Sequence, residues 1–327
     1  MYFLAAICAM LCWSGSDLFS KIGSRQNDNR SHFKVGIAVG LVMGIHALYT
    51  ITLGGVPFTF NDMLVYLPAS LLYIASMMLG YIALRYIELS VSSPICNCSG
   101  ALALIISLLY FGVKWVDDES DAIFLNAPII IGVCMIVIGV VSLGFVEYFE
   151  NDEARMMRQQ SSGRRYTKSL LAILLPVLYC LLDACGTFVD TLIADNYTEQ
   201  LMTSNPALSD VEAELLCGDI LNTAYEFTWL LMAVIFAIYV FGIRREKIQP
   251  RADGAKGIGA LCETIGQVFY MVVVVSDYKV GLVIISAYCA LSLLWSRIFL
   301  REKLSWKHYA AIAAAFVGIV ILGIYDV

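Results

Sequence analysis

Long apolar stretches separated by short polar segments dominate this chain, and ten of them are long enough to cross a bilayer. About 20 residues at 1.5 Å rise traverse a hydrocarbon core of about 30 Å. The stretches run near Tyr2 to Ile22, Phe33 to Leu53, Met63 to Leu84, Val91 to Val113, Ala127 to Val146, Leu170 to Ala194, Leu215 to Ile243, Ile258 to Val275, Val280 to Leu300 and Trp306 to Gly323. Hydrocarbon offers no partners to a bare backbone, so each is expected as a helix. The pattern predicts an all-α polytopic membrane protein with ten spans. Composition agrees: 60% of residues are apolar, 15% are charged, and mean hydropathy is +0.77, which removes a soluble globular reading.

Charge then orients the spans. Nineteen of the 21 Lys and Arg residues fall after odd-numbered spans, and only Lys114 and Lys279 fall after even ones. By the positive-inside rule the odd loops face the cytoplasm and both termini lie outside, as expected of a multi-pass protein of a plasma (inner) membrane. The net charge of -6 reflects acidic outer loops such as Asp117, Asp118, Glu119 and Asp121 together with carboxylates inside the spans. Polar segments Glu147 to Ser169 and Asn196 to Glu214 are too short to bury a core of their own. The first reads as a cytoplasmic linker, 147–168, between a five-helix unit at 1–146 and another at 169–327. The apolar start, Met1 to Met10, runs into Trp13 and Asp17 without a basic n-region and reads as a retained helix.

The two halves resemble each other. Aligned without gaps, Ser90 to Lys114 falls on Lys279 to Lys303, matching Val91 to Val280, Ile95 to Ile284, Ala101 to Ala290, Leu102 to Leu291 and Leu104 to Leu293. Trp13 and Asp17 in span one stand four residues apart, as do Tyr179 and Asp183 in span six. Five spans per half make the second half enter from the opposite side, a 5+5 inverted repeat of the kind that supports alternating access. Together with the run Leu300 to Trp306 (Leu-Arg-Glu-Lys-Leu-Ser-Trp) between spans nine and ten, this layout resembles the EamA type of the drug/metabolite transporter superfamily. The matching place in the first half, Phe111-Gly112-Val113-Lys114-Trp115, lacks the glutamate before its lysine. The resemblance implies a central cavity and transport of a small solute, and leaves the solute open.

Candidate chemistry lies in carboxylates at membrane depth, where a charge costs a few kcal/mol and must face a cavity or a partner. Asp183 has Tyr179 and Thr187 one turn to either side and no basic residue within helical reach. Asp17 shares a face with Trp13, with an i,i+4 pairing to Lys21 as the alternative. Asp190, two turns beyond Asp183, nears the outer end, where water alone accounts for it. Span seven carries Asp219, Asn222, Thr223 and Glu226 on one stripe, with Trp229 nearby. Span eight places Glu263 with Gly259, Gln267 and Tyr270. His46 is a lone histidine in span two.

Aromatic faces attract an ammonium, and a carboxylate beside one completes a cation site. The expectation is therefore a secondary transporter of a small cationic or amine-bearing metabolite. Trp13, Asp17, Tyr179, Asp183, Glu226 and Trp229 are the candidate substrate contacts, and Glu263 or Asp17 carries a coupling proton, because apolar surroundings disfavour an ionised carboxylate. The alternative keeps the carboxylates for protons and moves a neutral or zwitterionic solute. Spans five and ten, rich in small residues (Gly132, Gly139, Ala314, Gly318), are expected to scaffold the fold or form a homodimer contact. The three histidines are scattered and no H-E-x-x-H, Walker A or G-x-S-x-G motif occurs, which argues against an enzyme. No metal, cofactor or nucleic acid is expected, and the ten dispersed cysteines read as packing residues.

Overall fold

A computed structural model of the chain describes residues 2–24, 28–114, 123–124, 126–160, 162, 170–275 and 279–325. Arg25, the acidic loop 117–121 and the linker residues Arg164, Arg165 and Lys168 lie outside them. Helices account for nearly all of the described residues. They are α1 (Tyr2–Gly23), α2 (Ser31–Thr52), α3 (Phe60–Tyr86), α4 (Leu89–Cys96), α5 (Ser99–Phe111), α6 (Ala127–Phe149), α7 (Asp152–Gln159), α8 (Leu170–Ser204), α9 (Asp210–Ala237), α10 (Pro250–Val275), α11 (Lys279–Ser286), α12 (Tyr288–Trp295) and α13 (Trp306–Tyr325). A two-residue parallel pairing, Val113–Lys114 with Ile123–Phe124, follows α5.

Eight of these elements are long and apolar enough to cross a membrane, α4 and α5 counting together as one and α9 with its π-helical end as another. The chain is a multi-pass membrane protein. A belt of exposed Leu, Ile, Val and Phe, including Leu41, Ile45, Ile138, Ile235 and Phe299, covers the outside of the bundle, as lipid contact requires.

Helix ends follow local chemistry. Thr59 with Asp62 and Ser209 with Glu212 form capping boxes that start α3 and α9, each satisfying two orphan donors. At the other end of the bundle, α9 and α12 both finish in a π turn, then an arginine with positive φ (Arg245 at 52°, Arg301 at 56°), then a glutamate. The same Arg-Glu-Lys run thus ends two helices in the same way.

Three departures from the sequence pattern matter for the site. The span expected at 91–113 is broken after Cys96, and the span expected at 280–300 is broken at Ala287. Pro94 explains the first break, since it lacks an N–H and crowds the preceding turn; Pro68 and Pro176 sit inside unbroken helices. The two breaks meet, with Asn97 Nδ2 donating to Ser286 O at 2.8 Å. The third departure is α8, expected to end near Ala194 but continuous to Ser204. Nothing between those residues breaks a helix, and the polar composition reflects a helix leaving the apolar layer.

Packing joins α1 to α10, α3 to α8, α2 to α9, α6 to α13 and α4 to α12. Gly132 and Gly139 of α6 meet Gly318 and Ala315 of α13 at backbone distance, so these helices scaffold the periphery and contribute nothing to the central cavity.

The basic end of the bundle is sealed by polar clasps. Glu302 accepts from Leu89 N (3.2 Å), Ser90 N (3.0 Å) and Ser90 Oγ (2.8 Å), capping the start of α4. Lys21 donates to the carbonyls of Leu84 and Ile87. Asp28, Lys34, Lys256, Asp253, Glu246 and Arg30 form an ion-pair network between the α1–α2 and α9–α10 connections. Glu147, Glu150 and His308 have donor atoms close enough for a metal ion. Arg155 already pairs with both carboxylates, at 2.9 and 3.5 Å, and His308 with Glu147 at 2.9 Å, which makes the cluster a polar clasp of α6, α7 and α13.

Candidate functional site: a carboxylate-lined central cavity

A cavity of about 1020 Å³ occupies the centre of the bundle. It runs from Ser20, Leu84 and Leu89 beneath the basic-end clasps to Asp210 and Glu214 at the opposite end. Eight carboxylates line it: Asp17, Asp183, Asp190, Asp195, Glu199, Asp210, Glu214 and Glu263. No lysine, arginine or histidine is among the described lining residues.

Inside, each carboxylate is held by neutral donors. Asp17 Oδ2 accepts from Ser93 Oγ of α4 at 2.6 Å and Ser292 Oγ of α12 at 2.8 Å. Its partners are thus the broken helices, while the adjacent Lys21 turns to the carbonyls at the end of α3. Asp183 accepts from Ser76 at 3.2 Å and from Ser99. Glu263 accepts from Ser16 and lies within electrostatic reach of Asp17 and Asp183. Asp190 accepts from Tyr66 Oη at 2.6 Å and Tyr73 Oη at 3.3 Å. Hydroxyl donors orient a carboxylate and bring no opposing charge of their own.

Aromatic rings supply the rest of the wall. Trp13 lies 5.1 Å from Tyr270 and 5.9 Å from Tyr288, centroid to centroid, forming a three-sided box beside Asp17 and Glu263. Close approach of two helices makes room for these rings. A Cβ on Gly266 of α10 would sit 2.6 Å from Trp13 Cδ1, and one on Gly80 of α3 would sit 3.0 Å from Tyr179 Cδ2. Trp13 on Gly266 and Tyr179 on Gly80 are the same arrangement, a large ring on α1 or α8 laid over a glycine of the helix packed against it.

Among the residues singled out from sequence, Trp13, Asp17, Tyr179, Asp183 and Glu263 line this cavity together. Glu226 and Trp229 do not. Both are fully buried between helices, and Glu226 pairs with His46 Nδ1 at 2.8 and 2.9 Å. The α9 stripe does reach the cavity through Asn222, which bonds both Glu226 (3.3 Å) and Gln267 (3.3 Å). The sequence reading left out Tyr66, Tyr73, Ser93 and Ser292 and assigned Asp190 to water. A signal existed: Tyr66 and Tyr73 are seven residues apart, as are Asp183 and Asp190, so each pair lies two turns apart on one helix face. The mouth carboxylates Asp195 and Glu199, and Asp210 and Glu214, are spaced by four, which is facing information only once the helices are known to extend that far.

No family model matches the sequence, and no match was found among curated proteins. Thirteen chains of solved structures match in fold. One, described only as "Crystal structure of protein", superposes with a TM-score of 0.52 at 15% identity, over 98% of this chain and 95% of that chain. At that identity the likeness extends to the fold alone, and it covers both molecules nearly end to end.

Proposed function

We propose that the protein is a secondary transporter that carries a small cationic or amine-bearing solute by alternating access. The observation that carries this reading is the cavity wall, which holds eight carboxylates and no basic side chain among the described residues. Charge taken from water needs a partner, and an ammonium between carboxylates and aromatic faces provides one. An anionic solute would find no basic side chain among the described lining residues.

In this reading α10 and the broken pair α11–α12 complete ten spans in a 5+5 inverted repeat. The pairing supports it: exchanging each span with the one five positions on converts α1·α10 into α8·α3 and α1·α12 into α8·α5, and returns α2·α9 and α6·α13 to themselves. Offset by 189 residues, Asn97 corresponds to Ser286, its own hydrogen-bond partner, and Gly112 (φ 82°) corresponds to Arg301 (φ 56°). That layout, with Leu300 to Trp306, is the basis for placing the chain beside the EamA-type drug/metabolite transporters. In this reading the clasped end, where Lys and Arg concentrate, faces the cytoplasm and the mouth faces outside.

Solute enters at the mouth carboxylates and binds at Asp183, with Trp13 and Tyr179 as aromatic walls. Release at the other end requires the Glu302 and Lys21 clasps to open. Glu263 and Asp17, which interact across the deep end, are the candidates for a coupling proton. Competition by tetramethylammonium, permanently charged and unable to lose a proton, tests the reading on purified protein. Displacement of a bound amine supports a cation site. Failure to compete, with binding of neutral amino acids, supports a proton-coupled exporter of zwitterions instead.

A further inference from the structure

Asp183 and Asp190 are two turns apart on one face of α8, about 10.5 Å along its axis, and both point into the cavity. Each is anchored by neutral hydroxyls alone: Ser76 and Ser99 at Asp183, Tyr66 and Tyr73 at Asp190. A single ammonium cannot reach both. If it sits at Asp183, Asp190 has no ionic partner in a largely desolvated wall and either takes up a proton or receives a second cation.

A second observation points to a missing donor in the same cavity, on its Glu263 and Asp17 side. Tyr81 lines the cavity, is only 7% exposed, and its phenol oxygen has no hydrogen-bond partner among the described residues. Buried hydroxyls are nearly always satisfied. Between the two carboxylates lies Thr187, whose hydroxyl is already bonded to Tyr73 Oη (3.3 Å) and Asp183 O (3.0 Å), and Tyr73 packs edge-on to Tyr225 at 5.9 Å, so this stretch of wall carries no charge and suits methylene groups.

Resting on the cation reading above, we propose that the cavity is built for a linear dication, one ammonium at Asp183 and the other at Asp190, with an alkyl chain between them along the tyrosine wall. Each ammonium approaches its carboxylate to about 2.8 Å, which sets an N-to-N separation of about 5–10 Å across carboxylates about 10.5 Å apart. Short α,ω-diamines fall in that range.

The test is equilibrium binding of putrescine and cadaverine against n-butylamine to the purified full-length protein, wild type and Asp190→Asn. The second ammonium adds a charge-assisted contact, so the diamines should bind roughly ten- to a hundredfold more tightly than the monoamine. Asp190→Asn should bring that ratio down to near one. Equal binding of diamine and monoamine by the wild type overturns the dication while leaving a monocation site intact, whereas no binding of any amine overturns the cation reading itself. If Asp190→Asn does not fold, a wild-type series of diamines against monoamines of equal chain length decides the matter. Affinity that peaks with diamine length but rises smoothly with monoamine length supports the proposal, and parallel trends refute it.

Discussion

His46 and Glu226 offer a clean separation between a structural pair and a substrate site. Glu226 is 0% exposed, while His46 keeps 29% of its side chain accessible, so His46→Leu leaves a buried carboxylate hydrogen-bonded to Asn222. Breaking a buried pair from one side costs about 3–5 kcal/mol. Protonation caps the loss: neutralising a glutamate of ordinary pKa near 4.3 at pH 7 costs about 3.7 kcal/mol. For a chain of this size that is a fall in unfolding temperature of roughly 4–5 °C in detergent. The double variant His46→Leu/Glu226→Leu should recover most of it, because an apolar pair of similar volume often matches a buried ion pair. Amine affinity in the double variant should stay within about twofold of wild type, since neither residue lines the cavity. A stable double variant that has lost amine binding would refute this reasoning and place Glu226 on the solute. A single variant as stable as wild type would refute the cost assigned to the unpaired carboxylate.

Three further outcomes follow from the geometry. Burial pushes Asp28 and Glu246 up, but Lys256 and Lys34 around the first, and Arg30 with Lys34 around the second, hold both below the usual carboxylate range. Their contribution is present above the unfolded-state values and is lost as pH falls through the depressed ones, so thermal stability should drop below about pH 4. Asp28→Asn should flatten that drop, seen by unfolding scans across pH. Gly318→Leu places a side chain where a Cβ alone would lie 2.6 Å from Gly132 O; it should separate α6 from α13 and cost about 1–3 kcal/mol, lowering the unfolding temperature while amine affinity persists. Glu302→Gln removes the charge that three donors of α4 share and weakens the clasp by about 1.5–3 kcal/mol. Labelling of Ser92→Cys, on the cavity wall next to the clasp, by a water-soluble maleimide should then speed up roughly tenfold or more, and an unchanged rate would show that the clasp does not hold that end closed.

Most of the fold was legible because membrane helices announce themselves by length and hydropathy. What sequence pattern missed was where helices stop in a polar environment. α8 continues ten residues past the apolar stretch, and α4–α5 and α11–α12 break inside one; hydropathy has no sensitivity to either. At the site, the pairings Trp13 with Asp17 and Tyr179 with Asp183 identified the cavity wall because both follow the four-residue helical repeat. The same rule misplaced Glu226. A stripe shows which residues share a face, but the neighbour of that face is a tertiary fact, and here it is His46 on α2. Asp17 illustrates the converse: Lys21 was the local partner, yet the carboxylate is held by serines 76 and 275 residues away.

The central claim is that a cation crosses through the carboxylate-lined cavity, and internal pH in reconstituted liposomes tests it most directly. Putrescine added outside wild-type vesicles should move protons, and Asp183→Asn or Glu263→Gln should abolish the signal while leaving protein incorporation unchanged. Wild-type signal that survives in both variants, or a response to neutral amino acids and none to amines, would contradict the account.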